Sequence, residues 1–467
     1  MAAQVPTRLP SKTRVQKVGL AIAIVALIGC LFVQVPGLEP VGVRMLGIFV
    51  AAIALWVTEA IPLAATGVGI ILFQVLLISS DAVLPVPETA ETSASFFANL
   101  ANPVIILFMG GFMIADGAAK YGLDKNLAAV MLKPFRGSAR LAMLGLMLIT
   151  ALLSQFMSNT ATTASMFAVV IPILASIRDP KMRTGFALAI PVAANVSGVG
   201  TPVSTPPNAI AVGMLAQNGI RITFLDWALM ALPFIIVMLM MAWLLLVALF
   251  VPKGVPMELN LKADFNRSPA AIVFYLLAGG TILLWMSEPL HGINSSIVGF
   301  IPVVGMLATG VMTGRDVKQL SWPVLWLVAG GIALGSGVRA TGLDAWLLGG
   351  IDWGSMSAVV FLVAVALVAV VMGTFISNSA TANLIIPLVL GPSIMVATDD
   401  VTLAVVAALA CSLGFALPIS TPPNAIAYAT GHIPQRSLML VGAILGIVGA
   451  IFLALALPPL WAWMGLT

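Results

Sequence analysis

The sequence predicts an all-α polytopic membrane protein, built as an inverted-topology repeat with two re-entrant hairpins and two broken helices. Composition is the first indication. Of the 467 residues, 61% are hydrophobic and only 8% charged, with a mean hydropathy of +1.12. An ordinary globular domain is roughly 45–50% apolar and about 25% charged. Repetition is the second. Ser158-Asn159-Thr160-Ala161-Thr162 returns in the second half of the chain as Ser377-Asn378-Ser379-Ala380-Thr381. The run Pro202 to Ala211, with Thr205-Pro206-Pro207-Asn208 at its centre, returns at nearly the same offset as Pro418 to Ala427, with Thr421-Pro422-Pro423-Asn424. Charge is the third, because the basic residues sort to one side of the membrane once the chain is threaded.

The elements follow in order. At 1.5 Å rise per residue, about 20 apolar residues cross about 30 Å of hydrocarbon. This places spans over 18–36, 42–60, 62–80, 101–120, 226–252, 268–288, 292–313, 321–340 and 437–464. The first run follows Arg8, Lys12, Arg14 and Lys17. It exceeds the roughly 7–15 residues of a signal-peptide core, and Val35-Pro36-Gly37 offers no small-x-small cleavage site, so it is read as a span. Residues 139–178 and 356–398 are apolar stretches interrupted at Ser158-Asn159-Thr160 and Ser377-Asn378-Ser379. Each has the length of two half-spans and reads as a re-entrant hairpin. Residues 184–216 and 401–432 read as spans broken by the Thr-Pro-Pro-Asn segments, whose paired prolines remove donors and clash with preceding carbonyls.

With the N-terminus inside and each hairpin returning to its own side, 18 of the 21 Lys and Arg lie inside, and only Arg44, Arg221 and Arg339 lie outside. Treating either hairpin as a full crossing flips every later loop, and flipping after the first sends the basic residues from Arg178 onward, except Arg221 and Arg339, outside, which destroys this bias. The acidic loop of Asp81, Glu88 and Glu91, the Asp399-Asp400 pair and the C-terminus fall outside. The expected setting is the inner (plasma) membrane, with several crossings. The same sidedness explains a pI near 9.2 without nucleic acid as a partner.

A third block extends the duplication. Pro103-Val104, Gly110-Gly111, Gly117 and Gly122-Leu123-Asp124 match Pro323-Val324, Gly330-Gly331, Gly337 and Gly342-Leu343-Asp344, again with a near-constant offset. Each copy then carries an amphipathic stretch (124–136; 344–354), a hairpin and a broken span, and the two copies run in opposite directions. That symmetry, with paired interruptions of apolar helices, is the habit of secondary transporters, whose binding sites lie at the interruptions.

The polar apices suit an anion and hard cations together. A half-helix starting at an apex presents unpaired N–H groups and a positive dipole end, which hold an anion without a buried Lys or Arg. Hydroxyls of Ser158, Thr160, Ser377 and Ser379 add donors, and Asn159 and Asn378 each carry both a donor and an acceptor. Hard cations take oxygen ligands. Those would come from apex side chains and from the Gly-rich unwound segments around Gly198, Gly200 and Gly414. Ser154, one turn before Ser158, adds a hydroxyl to the first cluster. Its counterpart is Gly373, so a second cluster leans on backbone or on Thr374.

Other residues read as structural. Cys30 and Cys411 lie in apolar runs as small hydrophobes, and His291 and His432 sit at span ends. Asp116 lies inside a span but is matched by Ser336, so it stands outside the duplicated core. No Ser has a nearby base, which argues against an enzyme. Polar residues gathered at one depth favour an occluded site over a channel.

On these motifs the sequence resembles the divalent anion/sodium symporter family, the INDY-type dicarboxylate transporters, over roughly residues 18–464. That family carries paired Ser-Asn-Thr hairpin tips and paired Thr-Pro-Pro-Asn-like unwound segments. The resemblance implies an elevator-type homodimer transporting small dianionic carboxylates such as succinate, fumarate or malate with several Na⁺ ions. Scaffold would comprise 1–136 and 253–354, and the mobile transport domain 137–252 and 355–467. The first sodium site would use Ser154, Ser158, Asn159 and backbone at Gly198–Gly200. The second would use Asn378 and backbone near Gly373, Thr374 and Ile419–Thr421, with Ser420 among them. Substrate would touch Ser158, Asn159, Thr160, Ser377, Asn378, Ser379, Thr205-Pro206 and Thr421-Pro422. Ser379 stands where the family usually has Thr, which leaves tricarboxylate or sulfate open as substrate. Some relatives exchange dicarboxylates without sodium, which makes an exchanger the alternative.

Overall fold

The computed structural model describes residues 12–135, 137–257, 263–349, 356–390 and 398–467. The ends of both amphipathic stretches (136; 350–354), the last part of the second hairpin (391–397) and Arg8, Arg136 and Lys262 lie outside the described residues. Among those described, every regular element is helical, and eight helices are long and apolar enough to cross a membrane.

The first three are α1 (Arg14–Gly29), α2 (Pro40–Thr58) and α3 (Leu63–Leu77). Expected at 18–36, the first span instead begins at Arg14, because Thr13 and Gln16 form a capping box, and it ends before Cys30. A short helix, Ser93–Ala98, then leads into α4 (Pro103–Lys120), α5 (Leu123–Met131), α6 (Ala139–Leu153), α7 (Asn159–Ser176), α8 (Pro180–Ser197), α9 (Pro206–Gln217) and α10 (Phe224–Phe250). Next come α11 (Pro269–Met286) and α12 (Ser295–Ala308), the latter shorter than the expected 292–313. The order of α4–α10 then recurs as α13 (Trp322–Ala340), α14 (Leu343–Leu348), α15 (Ala358–Phe375), α16 (Asn378–Val389), α17 (Asp400–Cys411), α18 (Pro422–Ala429) and α19 (Gln435–Met464).

Both kinds of interruption have a local cause. Ser158 and Ser377 are N-caps whose Oγ atoms accept from the amides of Ala161 and Ala380, each at 3.2 Å, so a new helix starts where the polar motif begins. Thr205 and Thr421 are extended (φ −143° and −140°), and a proline opens the helix after each. There the missing N–H costs nothing and the fixed φ suits a first turn.

At the centre lie α8 and α17. Thr184–Ser197 and Thr402–Cys411 are buried without exception, as expected of helices apolar on all sides. Within each copy, α6 and α7 pack on α8, and α15 and α16 pack on α17. Between copies the broken helices interlock: α9 packs on α16 and α17, while α18 packs on α7 and α8. α3 and α13 meet backbone to backbone, and a β-carbon on Gly330 would stand 2.2 Å from the Gly67 Cα.

Candidate functional site

The first apex and the first unwound loop (198–205) are tied together by side chains that use glycine's missing β-carbon. The Asn159 amide occupies the space beside Gly198, and the Gln155 side chain that beside Gly200; ideal β-carbons there would stand 2.0 and 1.8 Å from Asn159 Oδ1 and Gln155 Oε1. Gln155 Nε2 donates to the Ser197 carbonyl (2.9 Å), and Thr201 Oγ1 donates to the Gln155 carbonyl (2.5 Å). Two oxygens next to these ties, Ser154 Oγ and Asn159 Oδ1, are buried without a partner, as is Thr205 Oγ1.

The second apex is built from backbone. Gly373 and Gly414 approach so closely that a β-carbon on Gly414 would lie 2.4 Å from the Gly373 carbonyl carbon. This brings three carbonyl oxygens round the Asn378 amide, those of Cys411, Gly414 and Gly373, at 3.0, 3.2 and 3.3 Å. With nitrogen toward them the amide donates to the three. Converging backbone carbonyl oxygens are ligands that a hard cation takes. Thr374 spends its hydroxyl on the Val370 carbonyl (2.8 Å), so only its backbone is turned to the site, where its carbonyl accepts from Ser420 Oγ at 2.6 Å.

The loops are braced alike. Asn208 Nδ2 donates to the carbonyls of Val199 and Thr201 (3.1 and 2.8 Å), and Asn424 Nδ2 to those of Phe415 and Leu417 (2.7 and 2.9 Å), the same positions one repeat later. They are unequally covered. Val203 is 3% exposed and abuts Gly111, whereas its counterpart Ile419 is 79% exposed.

The expected residues are thus distributed over two clusters. Asn159 meets Gly198 and Gln155 meets Gly200, with the buried Ser154 hydroxyl next to Gln155 in the chain; Gly373, Asn378 and the Thr374 carbonyl come together with Ser420. Ser158 and Ser377 cap their helices. Thr160 is exposed, Ser379 half-buried, Pro206 half-buried and Pro422 exposed. Thr421 Oγ1 accepts from the Asn424 amide (3.4 Å), while Thr205 Oγ1 does not make the equivalent bond. Sequence reasoning assigned no role to Asn208 and Asn424, although their recurrence at one offset was the available signal. Gln155 and the Trp227 indole on the Val199 carbonyl (2.9 Å) carried no repeated motif to single them out. For Cys411 sequence reasoning considered the side chain, whereas the carbonyl faces the site.

Comparison with known proteins accords with this architecture. Residues 13–467 match the family described as the sodium:sulfate symporter transmembrane region. An uncharacterized transporter of Haemophilus influenzae is 28% identical over 464 residues, covering 94% of this chain and 96% of its own. The sodium-dependent dicarboxylate transporter SdcS of Staphylococcus aureus is 28% identical over 484 residues, covering 94% and 90%. Among solved structures, the YdaH transporter of Alcanivorax borkumensis aligns with a TM-score of 0.55 at 12% identity over 89% of this chain and 98% of that one. MtrF of Neisseria gonorrhoeae, from a class of antimetabolite efflux pumps, aligns with 0.55 at 12% over 96% and 95%. At that identity the structural likeness speaks for the fold alone.

Proposed function

The chain belongs to the sodium:sulfate symporter family, and from that premise we propose that it is a secondary active transporter carrying C4-dicarboxylates such as succinate, fumarate and malate into the cell with sodium. The observation that carries this reading is the convergence of the Cys411, Gly414 and Gly373 carbonyl oxygens at Asn378, paired with the unsatisfied oxygens of Ser154 and Asn159 one repeat earlier. An unpaired buried polar group costs about 1–3 kcal/mol. A sodium ion satisfies several at once, and neutral oxygens let it enter and leave. The relative named as a sodium-dependent dicarboxylate transporter supports both ion and substrate class.

In this reading the first sodium is held by Ser154, Ser158, Asn159 and the carbonyls at Gly198 and Gly200. The second is held by Asn378 with backbone at Gly373, Thr374 and Ser420. The dianion sits between the apices. Ser158 and Ser377 each satisfy the third amide of their helix, which leaves the amides of Asn159, Thr160, Asn378 and Ser379 without intrahelical partners. These N–H groups, with the hydroxyls of Thr160, Ser379 and Thr205 and the helix starts at Thr205-Pro206 and Thr421-Pro422, receive the carboxylates. Sodium supplies the compensating charge that a fixed Lys or Arg would otherwise provide.

Movement follows the inverted repeat. The hairpins α6–α7 and α15–α16, with α8–α10 and α17–α19, form the mobile half of each protomer (137–252 and 355–467). The remainder (1–136 and 253–354) is scaffold, and two protomers join as a homodimer in the inner membrane, N-terminus inside. The unequal cover of Val203 and Ile419 supports an elevator, because Val203 is seated on α4 while its counterpart in the second loop is exposed. Uptake of labelled succinate into proteoliposomes with and without an inward sodium gradient tests the function. Sodium-stimulated uptake is expected. Uptake driven only by dicarboxylate on the opposite side makes it an exchanger, and indifference to succinate with uptake of citrate or sulfate reassigns the substrate.

A further inference from the structure

Asn195 lies on α8 one turn before Gly198, and none of the duplicated motifs contains it. It is 2% exposed, and its Nδ2 donates to Oδ1 of Asn424, 3.0 Å away, across the boundary between the copies. The bonds themselves fix both amides. Asn424 Nδ2 is committed to the carbonyls of Phe415 and Leu417, so its oxygen points the other way and only a donor can meet it. At the offset that aligns Asn208 with Asn424, the counterpart of Asn195 is Cys411, the last residue of α17. Asn208 itself has its Oδ1 buried without a partner. One unwound loop is therefore clamped from the opposite copy and the other is not.

We propose that Asn195 is a positioning residue for the second ion site: from the first copy, it holds Asn424, and through Asn424 the loop from Phe415 to Thr421. Ser420 in that loop holds the Thr374 carbonyl beside the three carbonyls gathered at Asn378. Without the donor, the Asn424 oxygen is left unpaired in a dry core and the loop loses its register. The clamp also links the sites, because α8 ends in Ser197 and Gly198, which border the first cluster. An ion ordering the end of α8 thereby orders the second loop through one hydrogen bond. The ion-site part of this proposal rests on the sodium-coupled reading above.

The test uses the full-length protein carrying Asn195→Cys, which gives the first copy the residue of the second, and Cys411→Asn, its converse; Asn195→Ser substitutes where the first variant fails to insert. Hydrogen exchange is followed in peptides covering 412–421 and 197–205 without sodium or substrate. Asn195→Cys should raise exchange in 412–421 and leave 197–205 unchanged, and Cys411→Asn should lower it in 197–205. Half-saturating sodium for dicarboxylate uptake should rise by about threefold to tenfold in Asn195→Cys, the effect of one buried hydrogen bond, with the maximal rate retained. Unchanged exchange in the second loop, or an equal rise in both, overturns the clamp. Exchange needs neither ion nor substrate, so a wild type indifferent to sodium sinks the transport reading separately. A sodium-dependent wild type whose half-saturation Asn195→Cys leaves unmoved sinks the ion-site role alone.

Discussion

The side-chain amide of Asn159 lies where a β-carbon on Gly198 would have to be, its Oδ1 2.0 Å from that point. Gly198→Ala should therefore expel Asn159 from the first cluster. Overpacking of this kind costs about 1–3 kcal/mol, so half-saturating sodium should rise by about tenfold or more. Gly279→Ala, where an added β-carbon meets nothing within 4 Å, should leave uptake and sodium dependence unchanged. Equal behaviour of the two variants in proteoliposome uptake would detach Gly198 from the site.

Asn378→Ala removes the side chain that the carbonyls of Cys411, Gly414 and Gly373 surround. Uptake should fall to background with normal amounts of folded protein in the membrane. Sodium at about ten times its Kd stabilises a binding protein by about 1.4 kcal/mol, and that protection against thermal unfolding should shrink in the variant. Asn159→Ala should behave likewise. Full uptake by either variant would remove the paired asparagines from the mechanism.

Threading can be read by labelling. In a Cys30→Ala, Cys411→Ala background, single cysteines at Ser138 and Lys181 should react from the cytoplasm, and those at Ser357 and Thr398 from outside. If the members of a pair react from opposite sides, that hairpin is a full crossing.

Binding should be reciprocal. On the proposed function sodium orders the apex backbone that receives the dianion, so each ligand should tighten the other by the same factor, about 5–150-fold for a typical coupling. Calorimetric titration of succinate at low and high sodium, and of sodium with and without succinate, measures both arms. Succinate affinity independent of sodium would favour exchange.

Most of the architecture was legible because in a membrane an interruption has to be explained, and the interruptions recur. Ser158 and Ser377, Thr205 and Thr421 begin helices where the polar motifs begin. The helix ends were less legible. Residue 18 looked like the start of α1 because hydropathy begins there, but Thr13 and Gln16 start the helix earlier through a capping box that hydropathy does not register. At the site, repetition exposed the shared residues and concealed the differences. Asn195 is matched by Cys411 and Gln155 by Thr374, so neither stood out, yet Asn195 and Gln155 make bonds their counterparts do not. Backbone contributions such as the Cys411 carbonyl leave no trace in residue identity.

The interlocking of the broken helices has a consequence for how the protein is made. Because α18 covers α7 and α8, and α9 needs α16 and α17, the first copy leaves the ribosome with its central face uncovered and must wait in the bilayer until the second copy has been synthesised. Neither half should mature alone. Newly inserted chains cut short of Pro422 should be substrates for membrane quality control, whereas two halves made as separate polypeptides in one cell should find each other and restore the core.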